Sequence, residues 1–297
     1  MKNQNFGIEI ELTGITRRKA ADTIAKYFGG EPAEYIGGTY RAWTIVDTRD
    51  DSRKIWKVMS DSSISGERND TTYDVIGEYQ VEIVSPILTY DEIGKLQEIV
   101  REIRHAGGIV NNTCGIHVHV DAANHDARTL RNLMSMMYAR EDIIYKALEV
   151  EPNREYYCKK TDADTLANAR REKHLTMDSL RDIWYGDIES EYCTRQHYHK
   201  SRYHALNLHA TFSKGTVEFR MFNSTLHAGE VKAYVHLALA MSAACIDART
   251  ISINKTGETD VRIFAEWLKR IGLAGDEFKN TRAHLLKHLL NQKAAIA

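Results

Sequence analysis

The residues best suited to chemistry are acids and histidines that recur at every second position in short apolar segments. One segment near the N-terminus carries Glu9 and Glu11, and a mid-chain segment carries His117 and His119. Successive side chains of a β-strand point to opposite faces, so each pair is predicted to share a face. Carboxylates are ligands for hard cations such as Mg²⁺ or Mn²⁺, and imidazole also suits zinc or manganese. The spacing therefore predicts a metal site on a sheet.

The same alternation recurs around Glu82, at Asn207 and His209, and at Glu218 and Arg220. An antiparallel sheet with one solvated face also alternates in this way, and it is the ordinary explanation for a single strand. A solvated face usually mixes cations with acids, however, whereas this set contains one fixed cation. Like charges that lie opposite each other destabilise a sheet. Taken together, the strands favour a metal-lined face over a solvated one.

Arg220 adds phosphoryl chemistry to this hypothesis. Bound metals with one arginine are typical of sites that stabilise charge in phosphoryl transfer. The sequence contains neither GxxxxGK[ST] nor a GxGxxG that opens a helix. We therefore expect any nucleotide to be held by metal and sheet side chains, which excludes P-loop and Rossmann mechanisms.

Strand and helix patterns alternate along the chain and predict the elements that must position these residues. Strands are predicted at Phe6–Leu12, Arg41–Asp47, Lys54–Met59, Val75–Val84, Gly115–Asp121, His204–Ala210 and Thr216–Phe222. Helices are predicted at Thr16–Phe28, Tyr90–His105, Arg128–Glu149, Glu230–Asp247, Asp260–Ile271 and Glu277–Leu290. The segment Glu151–Tyr203 lacks clean periodicity; it is either a solvated surface insertion or a lid over the site.

Composition excludes several classes of protein. The 297 residues include 40 Lys+Arg and 41 Asp+Glu, and the resulting charge of −1 gives no general attraction for nucleic acid or an anionic membrane. No apolar run has the length needed to span a bilayer. The first residues lack an apolar signal region, and the four cysteines form no CxxC pair. These features predict a cytoplasmic protein.

Four ordered motifs resemble a known group: FGIEIEL, EIVSP, TCGIHVHVD and TVEFR, which lie between residues 6 and 220. They are similar to the putative amidoligase family, within the glutamine synthetase and glutamate–cysteine ligase superfamily. The resemblance implies an α+β fold in which a curved antiparallel half-barrel carries helices on its outer face. It also implies ATP-dependent ligation of a carboxylate to an amine, with Mg²⁺, or in its place Mn²⁺, as the metal.

The resemblance also implies roles for individual residues. Those matching metal ligands are Glu9, Glu11, Glu82, His117 and Glu218, the last also catalytic. His119 falls where the superfamily contacts nucleotide phosphate, and Arg220 matches the arginine that stabilises the transferred phosphoryl group. Asn207 belongs to an "RY…LN" segment and is assigned to cofactor binding.

Further matches concern the cofactor and the amine. Trp56 begins a family "W…DGS" pattern, and with Lys57 it is assigned to cofactor binding. Asp61 matches a residue that binds or deprotonates the amine, although an Asp-Ser-Ser tract is also ordinary turn chemistry. Arg202 is either a ligand for phosphate or substrate carboxylate, or a surface arginine.

The expected organisation is a catalytic domain over residues 1–250, with 151–203 as a lid or substrate-binding insertion, and a helical extension over 251–297. Expected partners are small-molecule or peptide carboxylates and amines; oligomeric state stays open. Alternatives are a guanidino-kinase-like phosphotransferase, a His-x-His metallohydrolase, and an inactive interaction protein on this scaffold.

Overall fold

The computed structural model describes residues 1–49, 51–68, 76–186, 190–255 and 261–296. Its strands form one open sheet in the order β2-β3-β4-β5-β1-β6-β8-β7. They are β1 (Phe6–Leu12), β2 (Glu34–Gly37), β3 (Ala42–Val46), β4 (Ile55–Met59), β5 (Val81–Val84), β6 (Gly115–Asp121), β7 (Leu206–Asn207) and β8 (Thr216–Asn223). An α+β class with antiparallel strand pairs is thereby confirmed, whereas the curved half-barrel stays a prediction.

Helices alternate with the strands along the chain. They are α1 (Arg17–Phe28), α2 (Ile93–His105), α3 (Ala127–Leu148), α4 (Ala163–Arg171), α5 (Met177–Tyr185), α6 (Ser190–Thr194), α7 (His209–Lys214), α8 (Ala228–Asp247), α9 (Val261–Leu268) and α10 (Lys279–Ile296). Thr16 caps α1 by accepting a hydrogen bond from the Lys19 N–H, and Gly29 ends it at a φ of 69°. Among the described residues, no helix combines the length and apolar character needed to cross a bilayer.

The chain forms two compact units. Unit 1 contains Met1–Gln4, His119–Met221 and Ala233–Ala297, and unit 2 contains Asn5–Val118 and Phe222–Lys232. This division does not follow the expected boundary at residue 250, which stays a prediction.

Unit 2 has one apolar and one polar sheet face. Ile10 lies opposite Ile83, and Ile83 lies opposite Val58, so these buried side chains share the face against which α1 packs. The alternate positions, which include Glu11 and Glu82, point to the other face. The acids of β1 and β5 thereby lie on the face away from the core.

The core of unit 1 is helical. The apolar side chains of α3 recur at helical spacing and are buried, as are those of α8. The C-terminal helices contribute to the same core, because α10 contacts α3 and α9 and buries Leu285 and Leu289. The segment after residue 250 is therefore an integral part of unit 1.

Two predicted strands are wrong in extent. Within Val75–Val84, residues Ile76–Tyr79 form a 3₁₀ turn and only Val81–Val84 pairs; Val75 lies outside the described residues. Glu78 lies in this turn and not on the sheet face. Buried Arg17 donates hydrogen bonds to the carbonyls of Gly77 and Gln80.

Within His204–Ala210, Leu206 and Asn207 pair with Phe219 and Glu218, and His204 forms only an isolated bridge with Lys159. His209 instead begins α7. The Asn207 side-chain oxygen accepts a hydrogen bond from the Ala210 N–H, and the Leu208 carbonyl accepts one from the Thr211 N–H. Gly215 ends that helix at a φ of 74°.

Other differences are smaller. Glu151–Tyr203, for which no helix or strand was predicted, contains α4, α5 and α6, and the edge strand β2 has no counterpart among the predictions. Asp260, the predicted start of α9, lies outside the described residues, and α9 continues into a π-helical turn at Lys269–Leu273. The strands at Phe6–Leu12 and Gly115–Asp121 are confirmed with the predicted bounds.

Candidate active site

A carboxylate cluster occupies the polar face of unit 2 and consists of Glu9, Glu11, Glu82 and His117. Glu11 and Glu82 are directly opposite each other across β1 and β5, and their exposed fractions are only 4% and 8%. Two like charges in this position repel each other across the strands and lose hydration on burial. The sequence-predicted metal residues of unit 2 are therefore brought together.

His117 lies between the carboxylates. Its Nδ1 is 2.9 Å from Glu9 Oε2, and its Nε2 is 3.7 Å from Glu11 Oε1. The other Glu11 oxygen accepts a hydrogen bond of 2.6 Å from the Gly115 N–H, which fixes that carboxylate. A histidine that binds a metal through one ring nitrogen is usually oriented by a hydrogen bond from its other ring nitrogen, often to a carboxylate. Glu9 is in the position to orient His117 in this way, and Nε2 faces Glu11.

The cluster fits a divalent cation. One ligand atom from each of Glu11, Glu82 and His117 lies within 4.8 Å of the others, and all three residues are buried. Two carboxylates and one imidazole suit Mg²⁺ or Mn²⁺, with imidazole favouring Mn²⁺. A bound cation would offset the repulsion between Glu11 and Glu82.

The two β4 residues assigned to cofactor binding lie on opposite faces. Trp56 is buried in the core, with its ring centre 6.2 Å from that of Phe28, and its Nε1 has no hydrogen-bond partner within the described structure. Lys57 lies opposite Val84, which in turn lies opposite Glu9, so Lys57 is on the carboxylate face and exposed. A ligand on that face is within reach of Lys57 and not of Trp56.

Asp61 forms the expected turn. One of its oxygens, Oδ1, accepts hydrogen bonds of 2.7 Å from both the N–H and the hydroxyl of Ser63. The side chain is half-buried. Asp61 therefore forms the turn that its sequence predicts. Binding of an amine by its other oxygen stays a prediction.

In unit 1, Glu218 is the centre of a second group, here named the arginine cluster: His119, Asn207, Glu218 and Arg220. Arg220 donates a hydrogen bond to Glu218 Oε1, and the Asn207 amide donates one of 2.6 Å to Oε2. His119 Nε2 is 3.9 Å from Glu218 Oε1, and all four residues are buried. Their hydrogen bonds hold the guanidinium in a defined position.

Two elements of the 151–203 segment support the same arginine. Arg220 Nε donates a hydrogen bond of 3.4 Å to the Tyr157 carbonyl. Buried Arg154 donates one of 3.2 Å to the Arg220 carbonyl. Neither contact was predicted, because nothing in the local sequence distinguishes Arg154 from a surface arginine.

A basic cavity of about 240 Å³ adjoins the arginine cluster within unit 1. Its charged residues are Arg195, Arg202, Lys214 and Glu218, and it is also lined by His197, Asn207 and His209. Arg202 donates a hydrogen bond of 2.9 Å to the His197 carbonyl, which leaves its charge available to the cavity. The three fixed cations outnumber the two acids near them, which are Glu218, already paired with Arg220, and Glu191, 3.5 Å from Arg195. This excess of positive charge favours an anionic ligand.

His209 brings a neutral imidazole to this cavity. Burial, then the charges of His199 and Arg202, lower the pKa of His209 to about 4, so it is uncharged near neutral pH. The Tyr185 hydroxyl is 2.7 Å from its Nδ1. Sequence reasoning placed His209 on a strand; Lys214-Gly215, a typical helix end, was the signal that it begins a helix instead.

The α+β fold thus carries a buried group of two carboxylates and one histidine in unit 2 and a basic cavity in unit 1. Residues 2–242 match the family model described as putative amidoligase enzyme. The chain therefore belongs to this family, which is one of ligases and confirms the resemblance seen in the four motifs. Comparison with the curated proteins gives no match.

Proposed function

We propose that this protein is an ATP- and Mg²⁺-dependent ligase that joins a carboxylate to an amine and forms ADP and phosphate. The observation that carries the proposal is the group Glu11, Glu82 and His117, in a chain whose residues 2–242 match an amidoligase family. The γ-phosphoryl group of ATP passes to the substrate carboxylate, giving an acyl phosphate and ADP. The amine then attacks the acyl carbon, phosphate leaves with the bonding electron pair, and an amide forms.

Glu11, Glu82 and His117 would hold Mg²⁺, which supplies charge neutralisation for the ATP phosphates when it is bound. Glu9 orients the imidazole of His117 through the contact at Nδ1. Lys57, exposed on the same face, offers a further cation to the phosphates. Direct ligation by Glu9 and by Glu218 stays a prediction.

Arg220 is the residue proposed to stabilise the phosphoryl group during transfer, with His119 and Asn207 beside it. Its ion pair with Glu218 and its bond to the Tyr157 carbonyl fix the guanidinium, so little reorganisation is needed when charge develops. The basic cavity with Arg202 takes an anionic group of ATP or of the acid substrate. The second oxygen of Asp61 is proposed to accept a proton from the amine.

The first test is Mg²⁺-dependent turnover. Purified protein is incubated with MgCl₂, ATP and libraries of acids and amines, and both ADP and the masses of new products are followed. E11Q and R220M are each expected to lower ADP formation by 100-fold or more, since each removes charge stabilisation from the transfer step. An amide product supports the proposal; a phosphorylated product would assign a kinase instead.

Charge-matched controls are E34Q and R171M. Glu34 and Arg171 are exposed, on β2 and α4, and lie outside both clusters. Both controls are expected to keep full activity. If E11Q and R220M turn over as fast as these controls do, the proposed active site is wrong.

A further inference from the structure

A second cavity in unit 1 has no place in the proposed reaction. It measures about 290 Å³ and is lined by parts of α3 and α8, residues 250–252, α9 and the π-helical turn at Lys269–Leu273. It shares no residue with the basic cavity beside Glu218. Most of its lining lies beyond residue 242, where the family match ends.

The described charged residues of this cavity are both positive. Arg140 and Arg270 are its charged residues, and no carboxylate is among the described residues that line it. Arg140 Nη1 donates hydrogen bonds of 3.0 Å to the carbonyls of Ala139 and Asn254, which satisfies one nitrogen, and no carboxylate among the described residues forms an ion pair with the guanidinium. Its Nε is buried and has no hydrogen-bond partner within the described structure.

The two guanidinium groups are also close enough to disfavour each other. Burial is the main cause that lowers the pKa of Arg140, and the charge of Arg270 lowers it further. A buried donor without an acceptor costs free energy, and so does a cation without a counterion. An anion between the two arginines would relieve both costs at once.

The remaining lining indicates what kind of anion fits. Thr250 and Ser252 contribute hydroxyl groups, while Trp267 and Ile271 contribute apolar surface. Trp267 is nearly buried and stacks on Phe264 at 5.4 Å, so its indole is held in place. The π-helical turn, a feature found often at functional sites, carries Arg270 and Ile271.

We propose that this cavity binds a small organic anion, whose carboxylate or phosphate lies between Arg140 and Arg270 and whose apolar part contacts Trp267 and Ile271. The volume lies just below the range of about 300–1,000 Å³ for ligand sites, so the ligand is a small one. This site is separate from the proposed ligase chemistry, and it does not depend on that proposal.

The test uses the full chain and direct binding, without any activity measurement. Phenyl phosphate and benzoate are titrated by calorimetry and by tryptophan fluorescence, with benzyl alcohol as the uncharged probe and inorganic phosphate as the anion without an apolar part. At least one aromatic anion is expected to bind and to change the fluorescence, and the better of the two identifies the head group. Benzyl alcohol and inorganic phosphate are each expected to bind at least tenfold more weakly.

Substitutions then locate the site. R140M and R270M are each expected to weaken binding of the better aromatic anion at least tenfold, whereas R262M, an exposed arginine of α9 outside the cavity, leaves it unchanged. W267F is expected to retain calorimetric binding and lose the fluorescence change. Because Arg270 is exposed, R270M keeps the test valid even if R140M does not fold.

Three results would overturn the proposal. One is the absence of saturable binding of either aromatic anion at millimolar concentration. Another is binding that R270M leaves intact. The third is inorganic phosphate binding as tightly as the aromatic anions, which would contradict a contact with Trp267 and Ile271.

Discussion

Glu9 and Glu11 occupy alternate positions on β1 and have the same side chain, yet their surroundings differ. Glu11 is almost fully buried opposite Glu82, while Glu9 is more exposed and contacts His117 Nδ1. We therefore predict that E11Q abolishes Mn²⁺ binding, whereas E9Q weakens it by about 10–100-fold, the usual effect of removing the outer partner of a ligating histidine. Calorimetric titration with Mn²⁺ measures both.

The control for this comparison is E34Q, on the exposed edge strand, which should bind Mn²⁺ like the unchanged protein. If E9Q and E11Q abolish binding equally, Glu9 is a direct ligand, as the family resemblance implies, and its assignment as an orienting residue is wrong.

Glu141 on α3 gives a prediction about pH. It is 1% exposed, it accepts a hydrogen bond of 2.8 Å from the Thr161 N–H, and burial raises its pKa to about 6. The folded state thus binds more protons than the unfolded state between about pH 4.5 and 6, and stability falls as pH rises through that window. E141Q should stabilise the protein by up to about 2 kcal/mol at about pH 7.5, and by little at about pH 4.5.

Urea unfolding at the two pH values measures this difference. Asp142 is a matched control whose pKa shifts in the opposite direction. Burial is the largest single influence and raises its pKa, but the hydrogen bonds and charges of Lys160 and Lys255 together outweigh it, so the pKa is lowered. Ionised Asp142 therefore stabilises the folded state above the pKa that this carboxyl has in the unfolded chain, and this stabilisation is lost as pH falls. D142N should therefore destabilise the protein near neutral pH; equal stabilisation by both variants would contradict the role of burial.

At the scale of elements, the sequence predicts best where one face is buried along the whole element. The bounds of β1 and β6 and nearly those of α3 follow from apolar spacing, since each buries its apolar positions. α4 and α5 escape prediction because few of their side chains are buried and local caps define their starts. At β7 the alternation is real, but only two residues pair before a helix begins.

The residues of the candidate site likewise differ in how far the sequence predicts their positions. Strand alternation brings Glu11, Glu82 and His117 together, because register is all that their meeting requires. Arg195, His197 and Lys214 reach the basic cavity from short helices and turns, whose placement depends on tertiary contacts that no local pattern records. Trp56 matches a sequence pattern, although strand alternation turns it into the core.

The start of α3 is an element whose local chemistry can be tested. Asp126 accepts a hydrogen bond of 2.7 Å from the Thr129 N–H, and the Thr129 hydroxyl oxygen accepts one of 2.9 Å from the Asp126 N–H. D126A should lower the free energy of unfolding by about 1 kcal/mol, the usual cost of a lost cap. D126N retains an acceptor and should cost only a few tenths of that amount; urea unfolding near neutral pH distinguishes them, and equal losses would contradict the cap.

At the scale of the whole molecule, a net charge of −1 conceals two local extremes. The carboxylate cluster collects acids on one sheet face of unit 2, whereas the charged side chains that line the two cavities of unit 1 are arginines and a lysine, with Glu218 as the one acid among the described lining residues. Composition therefore argues against general attraction of polyanions, but it does not exclude specific anion sites. The proposed chemistry needs both kinds of surface, since cations hold ATP and acids hold the metal.

The C-terminal residues extend the fold beyond the family match, and their contribution to stability is testable on α10. Leu285 is fully buried in unit 1, whereas Leu290 on the same helix is 49% exposed. L285A should lower the free energy of unfolding by about 3–4 kcal/mol, because it removes transfer energy and leaves a cavity, and L290A by less than about 0.5 kcal/mol. Both are measured by urea unfolding. Equal, small effects would show that α10 contributes little to stability, as expected of a helical extension outside a catalytic domain. The predicted difference between L285A and L290A requires that α10 forms part of the core of unit 1.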